Sequence, residues 1–280
     1  MHSIHKIGQS FWYITPVSLT DRPILGMVVG SNKTLMIDAG NSVDHAKYFV
    51  QETLQNATPD MVVLTHWHWD HIFGLPALSE SLSIASAKTK HEMEKLIPFS
   101  WSDEAIDERV QEGTEIEFCA KAIKEEYKDH REIKVVLPDV TYDKRLEIDL
   151  GGVTCLVQYV GGDHSSDSAI VYMKEDKILF LGDCIYPNMY AEKENYTIKE
   201  TLRLLEELES FDADTYIPSH QKPITKEEFR QEVAKLRTIA EYTERYRGDQ
   251  DKIEKEYEKT VQRDLTENER ETITQFVNGY

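Results

Sequence analysis

Short runs of apolar residues, many of them alternating with polar ones, recur along the first third of the chain in the pattern of β-strands. These runs cover residues 11–15, 24–29, 33–37, 60–64 and 81–85, and a helical period covers residues 43–54. A second set of strand-like runs covers residues 134–137, 145–150, 153–160, 169–173, 177–181 and 214–217. Turns such as residues 149–152 and 174–176 are short enough for antiparallel hairpins. The pattern predicts two strand-rich halves whose sheets pack face to face.

Helix signals are clearest late in the chain, where a threonine is followed three residues later by a glutamate at residues 197–200, 225–228 and 266–269. This spacing predicts three capping boxes at helix starts. Apolar stripes behind the first two starts predict packing against a core. They are Ile198, Leu202, Leu205 and Leu208 in the first helix, and Phe229, Val233, Leu236 and Ala240 in the second.

The chain therefore divides into a main domain at residues 1–224 and a helical C-terminal extension at residues 225–280. Residues 249–280 are highly charged and have only a sparse apolar face. They form either a peripheral packed element or a partner-binding element, and we favour packing.

Residues 87–131 form a helical insertion between the two strand-rich halves, with Gly113 as the expected break. In one interpretation the insertion is a surface helical pair that covers a sheet edge. In the other it is a cap over a substrate cleft, because long insertions in compact domains are often functional. The cap interpretation makes Phe99 and Trp101 candidate substrate-lining residues.

Composition narrows the function to small-molecule chemistry. The chain has 280 residues, of which 51 are acidic and 32 basic, and its formal charge of -19 opposes binding to nucleic acid or to an anionic membrane. No apolar run approaches the roughly 20 residues of a membrane span, and the N-terminus lacks the pattern of a secretion signal. Cys119, Cys155 and Cys184 are widely separated, which argues against a disulfide framework. We expect a cytoplasmic protein with a small-molecule substrate, and oligomerisation is left open.

The segment Thr-His-Trp-His-Trp-Asp-His at residues 65–71 follows an apolar strand and concentrates metal-ligand groups in one loop. Imidazole nitrogen and carboxylate oxygen are ligands that Zn²⁺ prefers. Four ligands would already close a structural site, so additional ligands imply two metals that share one site. Single candidates also follow later strands, and the full ligand set is His66, His68, Asp70, His71, His164, Asp183 and His220. The other histidines, His2, His5, His45, His91 and His130, are assigned to solvent or local hydrogen bonds.

The His-x-His-x-Asp-His motif, with a later histidine, an aspartate after a hydrophobic strand and a final histidine, resembles the metallo-β-lactamase-fold hydrolase superfamily over residues 15–222. The segment at residues 35–40 resembles the superfamily's strand-Asp-Gly segment, whose aspartate, Asp38 here, lies beneath the metals. The resemblance implies an α+β fold, a four-layer αββα sandwich of two mixed sheets with two metal ions at one edge.

The same resemblance implies a role for each ligand residue. The first metal is held by His66, His68 and His164, the second by Asp70, His71 and His220, and Asp183 bridges them. The metals are two divalent ions, Zn²⁺ first, with Fe or Mn as alternatives. Two such ions can deliver hydroxide to a carbonyl or phosphorus centre, and Asp70 is also expected to orient the attacking hydroxide. Trp67 and Trp69 alternate with the ligands and are expected to pack beneath the loop.

Features outside the ligand set favour some branches of the superfamily over others. Tyr186 follows Asp183 with a spacing that resembles the acyl-homoserine lactonase branch, where a tyrosine hydroxyl assists at the substrate carbonyl; otherwise it is a packing residue. Glyoxalase II-like thioesterases fit the helical C-terminus, but Ser166 and Asp167 replace their usual Pro-Gly. A β-lactamase is disfavoured because Tyr186 stands where some of those enzymes have a substrate-binding lysine. His68, where flavodiiron proteins usually have glutamate, disfavours that branch, and the acidic charge disfavours nucleases.

The sequence thus predicts a metal-dependent hydrolase that uses a metal-bridged hydroxide to cleave a small-molecule ester, lactone or thioester. Two alternatives remain open. One is an enzyme that resembles persulfide dioxygenases, with a single Fe(II) held by two histidines and the equivalent aspartate. The other is a metabolite-binding protein with weak residual hydrolase activity, although such a protein has no need for the complete ligand set.

Overall fold

The computed structural model of the protein describes residues 2–55, 57–128 and 131–280, so that His130 lies outside the described residues. Within these ranges, the first sheet has seven strands that are neighbours in chain order. They are β1 (Ile4–Ile7), β2 (Phe11–Ile14), β3 (Gly26–Val29), β4 (Thr34–Ile37), β5 (Met61–Val63), β6 (Leu82–Ser86) and β7 (Val140–Tyr142). Strands β1 to β4 pair antiparallel, and β4 to β7 pair parallel. This sheet is therefore mixed.

The second sheet has six strands in the described part of the chain, in the order β13-β12-β11-β10-β9-β8. They are β8 (Arg145–Asp149), β9 (Thr154–Tyr159), β10 (Ala169–Met173), β11 (Ile178–Gly182), β12 (Thr215–Pro218) and β13 (Ile224–Thr225). Only the β11–β12 pair is parallel among these described strands; the other pairs are antiparallel. The parallel pair is possible because the connection from β11 to β12 contains a helix, whereas short turns connect β8 to β9 and β10 to β11 and a loop without a helix connects β9 to β10.

Helices cover both outer faces of the sandwich. On the first sheet lie α1 (Val43–Leu54), α2 (Trp69–Ile72), α3 (Ala87–Leu96), α4 (Asp103–Gln111) and α5 (Glu117–Tyr127). On the second sheet lie α6 (Ile198–Glu209), α7 (Lys226–Tyr246), α8 (Gln250–Val261) and α9 (Glu267–Asn278). Short 3-10 turns lie at Ser18–Thr20 and Leu75–Leu78.

A central core fills the space between the two sheets. Phe11, Leu35 and Val63 of the first sheet pack in one cluster with Val171 and Phe180 of the second, and all five side chains are fully buried. Apolar area removed from water in this way contributes about 25 cal/mol per Å² to folding. Separate clusters join each sheet to its own helices. The order helices, sheet, sheet, helices confirms the predicted αββα sandwich.

The strand prediction was wrong at residues 134–137, which form no strand in the described structure. Their apolar side chains, Val135, Val136 and Leu137, are partly buried against the helix-covered face of the first sheet. The neighbour of β6 is instead β7, three residues further along the chain. Strands β1, β7 and β13 were not predicted, because each is short and lacks a clear apolar alternation.

Two of the three predicted capping boxes are present, at Thr225 and Thr266. Thr197 does begin α6, but its side chain makes no capping bond among the described residues. The Thr197 N–H and hydroxyl donate instead to the carboxylate of Asp163, at 3.1 and 2.7 Å. A tertiary contact has therefore replaced the local one at this helix start.

The C-terminal helices share one core with the main domain. Strand β13 runs directly into α7, and Leu236 of α7, Ile253 of α8 and Phe276 of α9 are buried in the same cluster as Leu205 of α6. Within the described residues, none of the helices is both long and apolar enough to span a membrane.

Candidate functional site

Loops at one edge of the sandwich carry the predicted ligand residues. The loop after β5 carries residues 66–71, and His164, Asp183 and His220 follow β9, β11 and β12. Strands β9, β11 and β12 run in one direction, because β10 is antiparallel to both β9 and β11, and β12 is parallel to β11. Their carboxyl ends therefore meet at one edge, where loops with freely directed side chains can build a site.

The two sheets are tied together at this edge. The N–H of Ala169, at the start of β10, donates to the carbonyl of Thr65 across the sandwich (2.8 Å). Gly182 ends β11 with a φ of +57°, and a Cβ atom there would lie 3.1 Å from the Thr65 side chain. Glycine allows both the left-handed turn and this close approach. The turn places Asp183 next to the loop that begins at Thr65.

The predicted ligand residues converge into two adjacent groups, within each of which the ligand atoms lie no more than 4.8 Å apart. The first group contains His66, His68 and His164, and the second contains Asp70, His71, Asp183 and His220. His220 is half-buried, whereas the other side chains are buried. Every residue of the predicted ligand set is therefore found at one place.

Asp183 lies between the two groups. Its Oδ2 atom is 3.4 Å from Nε2 of His164 and 3.8 Å from Nε2 of His66, both in the first group. The same oxygen is 3.2 Å from Nε2 of His71 and 3.1 Å from Nε2 of His220. One carboxylate oxygen thus faces imidazoles of both groups.

Asp38, which directly follows β4, orients the ring of His71. The His71 Nδ1 atom lies 2.8 Å from Oδ2 of Asp38, and both side chains are fully buried. Asp38 also accepts hydrogen bonds from the N–H (2.7 Å) and hydroxyl (2.9 Å) of Thr65. A carboxylate that accepts a hydrogen bond from Nδ1–H fixes the tautomer with its proton on Nδ1. The Nε2 lone pair is then available to a metal.

Two further histidines have an equivalent partner, and neither partner was predicted. The His164 Nδ1 atom lies 3.1 Å from the carbonyl of Pro187. The His220 Nδ1 atom lies 3.3 Å from Oδ1 of Asp21. Asp21 ends the 3-10 turn at Ser18–Thr20 with a φ of +50°, a conformation that aspartate tolerates better than most residues. Nothing in the local sequence signals this contact, because the two residues are 199 positions apart in the chain.

The two groups differ in protonation. Burial and the neighbouring imidazoles lower the pKa of His66 and His68 well below the ordinary histidine value, so both rings are neutral. Burial also opposes charge on His71 and His220, but the adjacent carboxylates outweigh it and raise the pKa of both well above that value. Because metal ligands must give up their protons, a divalent ion in the second group would displace protons from His71 and His220.

The buried polar atoms fit divalent metal ions. Nε2 of His164 and Oδ1 of Asp183 are buried and have no hydrogen-bond partner within the described part of the chain. A buried polar atom that lacks a partner costs roughly 1–3 kcal/mol, and more when it is charged. Imidazole nitrogen and carboxylate oxygen are donors for Zn²⁺, Fe and Mn alike. The two groups can therefore hold divalent ions, and the donor set does not choose among these metals.

A cavity of about 310 Å³ opens directly onto these residues. Its floor includes His68, Asp70 and Asp183, and its walls come from three separate parts of the chain. They are the turn near Ser18, the start of α5 at Ile116, Phe118 and Cys119, and the loop at Pro187, Met189, Tyr190 and Glu194. Its size and partly apolar walls are typical of a small-molecule site.

The prediction that Phe99 and Trp101 line the cleft was wrong, since neither side chain lines this cavity. Trp101 is only 8% exposed, and its ring packs edge-on against Phe73 with 4.7 Å between centroids. Phe99 is 41% exposed, and the Arg109 guanidinium stacks over both rings. The insertion does reach the cavity, but through Ile116 and Phe118, one helix further along the chain.

The two tryptophans of the motif have different environments. Trp67 packs partly against the helical core, and its ring lies 5.8 Å from that of Tyr190. Trp69 is 3% exposed and belongs to the same core, yet it also lines the cavity. The expectation that both pack beneath the loop therefore needs correction for Trp69, which packs in the core and also contributes to the cavity wall.

Tyr186 lines the cavity, with its ring 6.0 Å from that of His164 and 6.2 Å from that of His220. Its hydroxyl is buried and unpartnered by any described residue. Burial, with the nearby Asp183 charge, raises the pKa of Tyr186 well above its ordinary value, so the hydroxyl keeps its proton. Tyr186 can therefore donate a hydrogen bond to a molecule in the cavity.

Among the remaining described histidines, His45 does not match its assignment. It is fully buried in α1, and neither ring nitrogen has a hydrogen-bond partner in the described residues. His2 bonds to Thr15, His5 bonds to Ser3, and His91 is exposed, as expected. His45 was misassigned because the sequence around it gives no sign that its ring is buried, where it packs beside Gly40.

The structure is an αββα sandwich with three histidines in one ligand group and two aspartates and two histidines in the other, both at one edge. This combination of fold and ligands is typical of a class of metal-binding proteins. The family model described as the metallo-beta-lactamase superfamily matches residues 20–220. The chain belongs to the metallo-β-lactamase superfamily. No curated protein matches the chain.

Solved structures show the same fold at low sequence identity. A metallo-beta-lactamase from Pontibacter korlensis is 18% identical, with a TM-score of 0.58 over 84% of this chain and 98% of that one. A metallo beta lactamase from Hirschia baltica is 19% identical, with a TM-score of 0.56 over 83% of this chain and 96% of that one. The stereoselective inverting sec-alkylsulfatase Pisa1 from Pseudomonas sp. is 16% identical, with a TM-score of 0.63 over 86% of this chain but only 42% of that one. These likenesses confirm the fold.

Proposed function

We propose that the protein is a dinuclear metal-dependent hydrolase that cleaves an ester, lactone or thioester of a small molecule. The observation that carries the proposal is the position of Asp183, whose Oδ2 atom lies within 3.8 Å of imidazole nitrogens in both ligand groups. A carboxylate so placed can bridge two ions. His66, His68 and His164 would hold one ion, and Asp70, His71 and His220 the other.

When bound, two divalent ions, Zn²⁺ first and Fe or Mn as alternatives, would lower the pKa of water and act as Lewis acids at a substrate oxygen. Asp70 contributes a second function to this chemistry. Its Oδ2 atom lies 3.0 Å from Nε2 of His71 and 3.2 Å from Nε2 of His220, and the residue also lines the cavity. A carboxylate oxygen of Asp70 can therefore accept a hydrogen bond from the nucleophilic water and orient that water.

Tyr186 supplies a donor on the substrate side of the site. Its protonated hydroxyl is buried at the cavity wall and is free of other partners among the described residues. A donor preorganised toward a developing oxyanion stabilises the transition state more than the ground state. Tyr186 is thus the proposed electrophilic residue for a carbonyl substrate, and this position favours the lactonase-like chemistry.

The test combines metal analysis with a substrate panel. Protein purified without added metal is analysed for metal content and assayed on esters, lactones, thioesters and phosphodiesters, with the variants Asp183→Asn, Tyr186→Phe and, as a control, Asp143→Asn. We expect two divalent ions per chain, activity on carbonyl substrates, loss of at least about 1,000-fold in Asp183→Asn and about 10- to 100-fold in Tyr186→Phe. Asp143 is exposed in the turn before β8, so its variant keeps full activity.

Other results would redirect the assignment. One iron per chain with oxygen consumption would replace the hydrolase with a mononuclear dioxygenase. Tight binding of a metabolite without turnover of any panel substrate would identify a binding protein. Full activity in Tyr186→Phe, with Asp183→Asn inactive, would remove only the tyrosine from the mechanism.

A further inference from the structure

The walls of the cavity carry an unusual distribution of charge. Two carboxylates, Asp21 and Glu194, line the cavity in addition to the ligand residues. Among the described residues that line it, none is lysine or arginine. The rest of the wall is largely apolar and includes Ile116, Phe118 and Met189. An anionic substrate that extends along the wall would therefore meet the Glu194 carboxylate, with no lysine or arginine among the described lining residues to pair with it.

Glu194 is fixed at the wall by the C-terminal extension. Its Oε1 atom accepts a hydrogen bond from Nε2 of Gln275 in α9 (2.9 Å). Its backbone carbonyl accepts one from Nδ2 of Asn278 in the same helix (2.9 Å). Two contacts to a single helix restrict both the main chain and the side chain, so the carboxylate cannot easily move aside for a substrate anion.

Two arginines near the cavity, Arg22 and Arg109, already have partners. Arg22, which follows Asp21 in the chain, forms a bidentate pair with Glu126, with Nη2 to Oε1 at 2.7 Å and Nε to Oε2 at 3.0 Å. The Arg109 guanidinium stacks on the rings of Phe99 and Trp101. The formal charge of the whole chain, -19, adds to the local effect. A substrate anion would therefore have to compete with existing ion pairs and ring contacts.

Two bound divalent ions would not remove this effect. Their charge acts where the reacting group sits, and the carboxylates of Asp70 and Asp183 offset part of it there. Groups of the substrate that extend along the wall face Glu194 and the apolar side chains instead. Like charges brought together without a compensating partner weaken binding and act mainly on specificity.

We propose that this cavity selects substrates without negative charge, namely neutral esters, lactones or thioesters whose apolar group packs against Ile116, Phe118 and Met189, and that Glu194 is a residue that determines this specificity. The proposal rests on the proposed hydrolase function and narrows it. Alkyl sulfates, glutathione thioesters and carboxylated lactams are all anions, so the selection disfavours each of them.

The experiment uses the full-length metal-loaded protein and a matched pair of thioesters with the same hexanoyl group. One thioester is formed with N-acetylcysteamine, which is neutral, and the other with 3-mercaptopropionate, which is an anion. We expect kcat/KM to be at least about 100-fold higher for the neutral thioester. The variant Glu194→Lys should lower this preference at least about tenfold, and Glu194→Gln, which keeps an acceptor for Gln275, should lower it by a smaller factor.

Glu192→Lys is the matched control, because Glu192 is exposed two residues away and does not line the cavity. It introduces the same charge and should leave the preference unchanged. Equal kcat/KM values for the two thioesters in the wild type would overturn the proposal, as would equal effects of Glu194→Lys and Glu192→Lys.

A binding measurement separates this inference from the proposed reaction. The S-hexyl thioethers of the same two thiols cannot be hydrolysed, and calorimetry gives their dissociation constants whatever the protein catalyses. At least about tenfold tighter binding of the neutral thioether supports the selection even if the thioesters are not cleaved. Equal binding overturns it, and turnover of the thioesters would then leave the hydrolase function intact.

Discussion

Asp38 and His71, 33 residues apart in the chain, form a fully buried pair in which Nδ1 of the imidazole lies 2.8 Å from a carboxylate oxygen. The carboxylate is held from its other side by the N–H and hydroxyl of Thr65. When a metal ion is bound, His71 would keep its proton on Nδ1, where it donates to Asp38, and would offer the Nε2 lone pair to the ion held with Asp70 and Asp183. A strand that ends beneath the site thus determines the metal-binding face of a histidine in the loop above.

The variant Asp38→Asn should weaken metal binding selectively in the second group. An amide nitrogen placed against Nδ1 of His71 would favour the opposite tautomer, whose Nε2 carries the proton and cannot bind a metal. We expect an affinity about 10- to 100-fold lower for one of the two ions, measured by competition with a chelator. Nitrogen NMR of the His71 ring reports the tautomer directly.

Asp60→Asn is the control for this variant. Asp60 likewise accepts a backbone N–H and a threonine hydroxyl, both from Thr34, but it is exposed at the start of β5, away from the site. Its variant should retain both ions. Unchanged affinity for both ions in Asp38→Asn would show that Asp38 does not set the tautomer.

Asp21→Asn should act on the same group through His220, the nitrogen of which lies 3.3 Å from the Asp21 carboxylate. Asparagine tolerates the left-handed backbone at this position, so the fold should persist. We expect about 10-fold weaker binding of one ion, with no change in the ion held by His66, His68 and His164. Ser18→Ala in the same turn is the control. Equal loss of both ions, or none, would contradict a positioning role for Asp21.

The ligand residues could be predicted from the sequence because each follows an apolar run, and strand ends that share an edge bring their loops together. Asp21 and Glu194 could not be found in this way. Their positions depend on contacts with His220 and with α9, over separations of 199 and 81 residues, and neither has a local pattern. Phe99 and Trp101 were misplaced for a related reason. An apolar patch in a predicted helical insertion indicates that its side chains pack against another part of the protein. The pattern does not show whether that part is a substrate cavity or the core.

Because Trp101 is buried in the helical core and Phe118 lines the cavity, their variants should separate effects on stability from effects on substrate binding. Trp101→Ala removes a buried ring from the helical core and should lower the free energy of unfolding by about 3–5 kcal/mol. Phe118→Ala removes a ring that is 45% exposed and lines the cavity, so it should cost less than about 1 kcal/mol. We expect KM for an apolar substrate to rise about 3- to 10-fold in Phe118→Ala only. Urea unfolding gives the free energy of unfolding, and steady-state kinetics give KM. A raised KM in Trp101→Ala would show that Trp101 does line the cavity.

The stability of the C-terminal extension should depend on pH through Glu269. Hydrogen bonds from Arg263, at 2.7 and 2.8 Å, lower the pKa of Glu269 from 4.5 to about 2 although burial opposes the shift. A lowered pKa means that the carboxylate stabilises the fold above pH 4.5, and that this contribution is lost as the pH falls toward 2. Glu269→Gln should therefore cost roughly 1–2 kcal/mol at pH 7 and less than half of that at pH 3, measured by urea unfolding. Glu271 is exposed on the same helix, so Glu271→Gln is the control. If Glu269→Gln lowered the free energy of unfolding equally at both pH values, charge at Glu269 would not stabilise the extension.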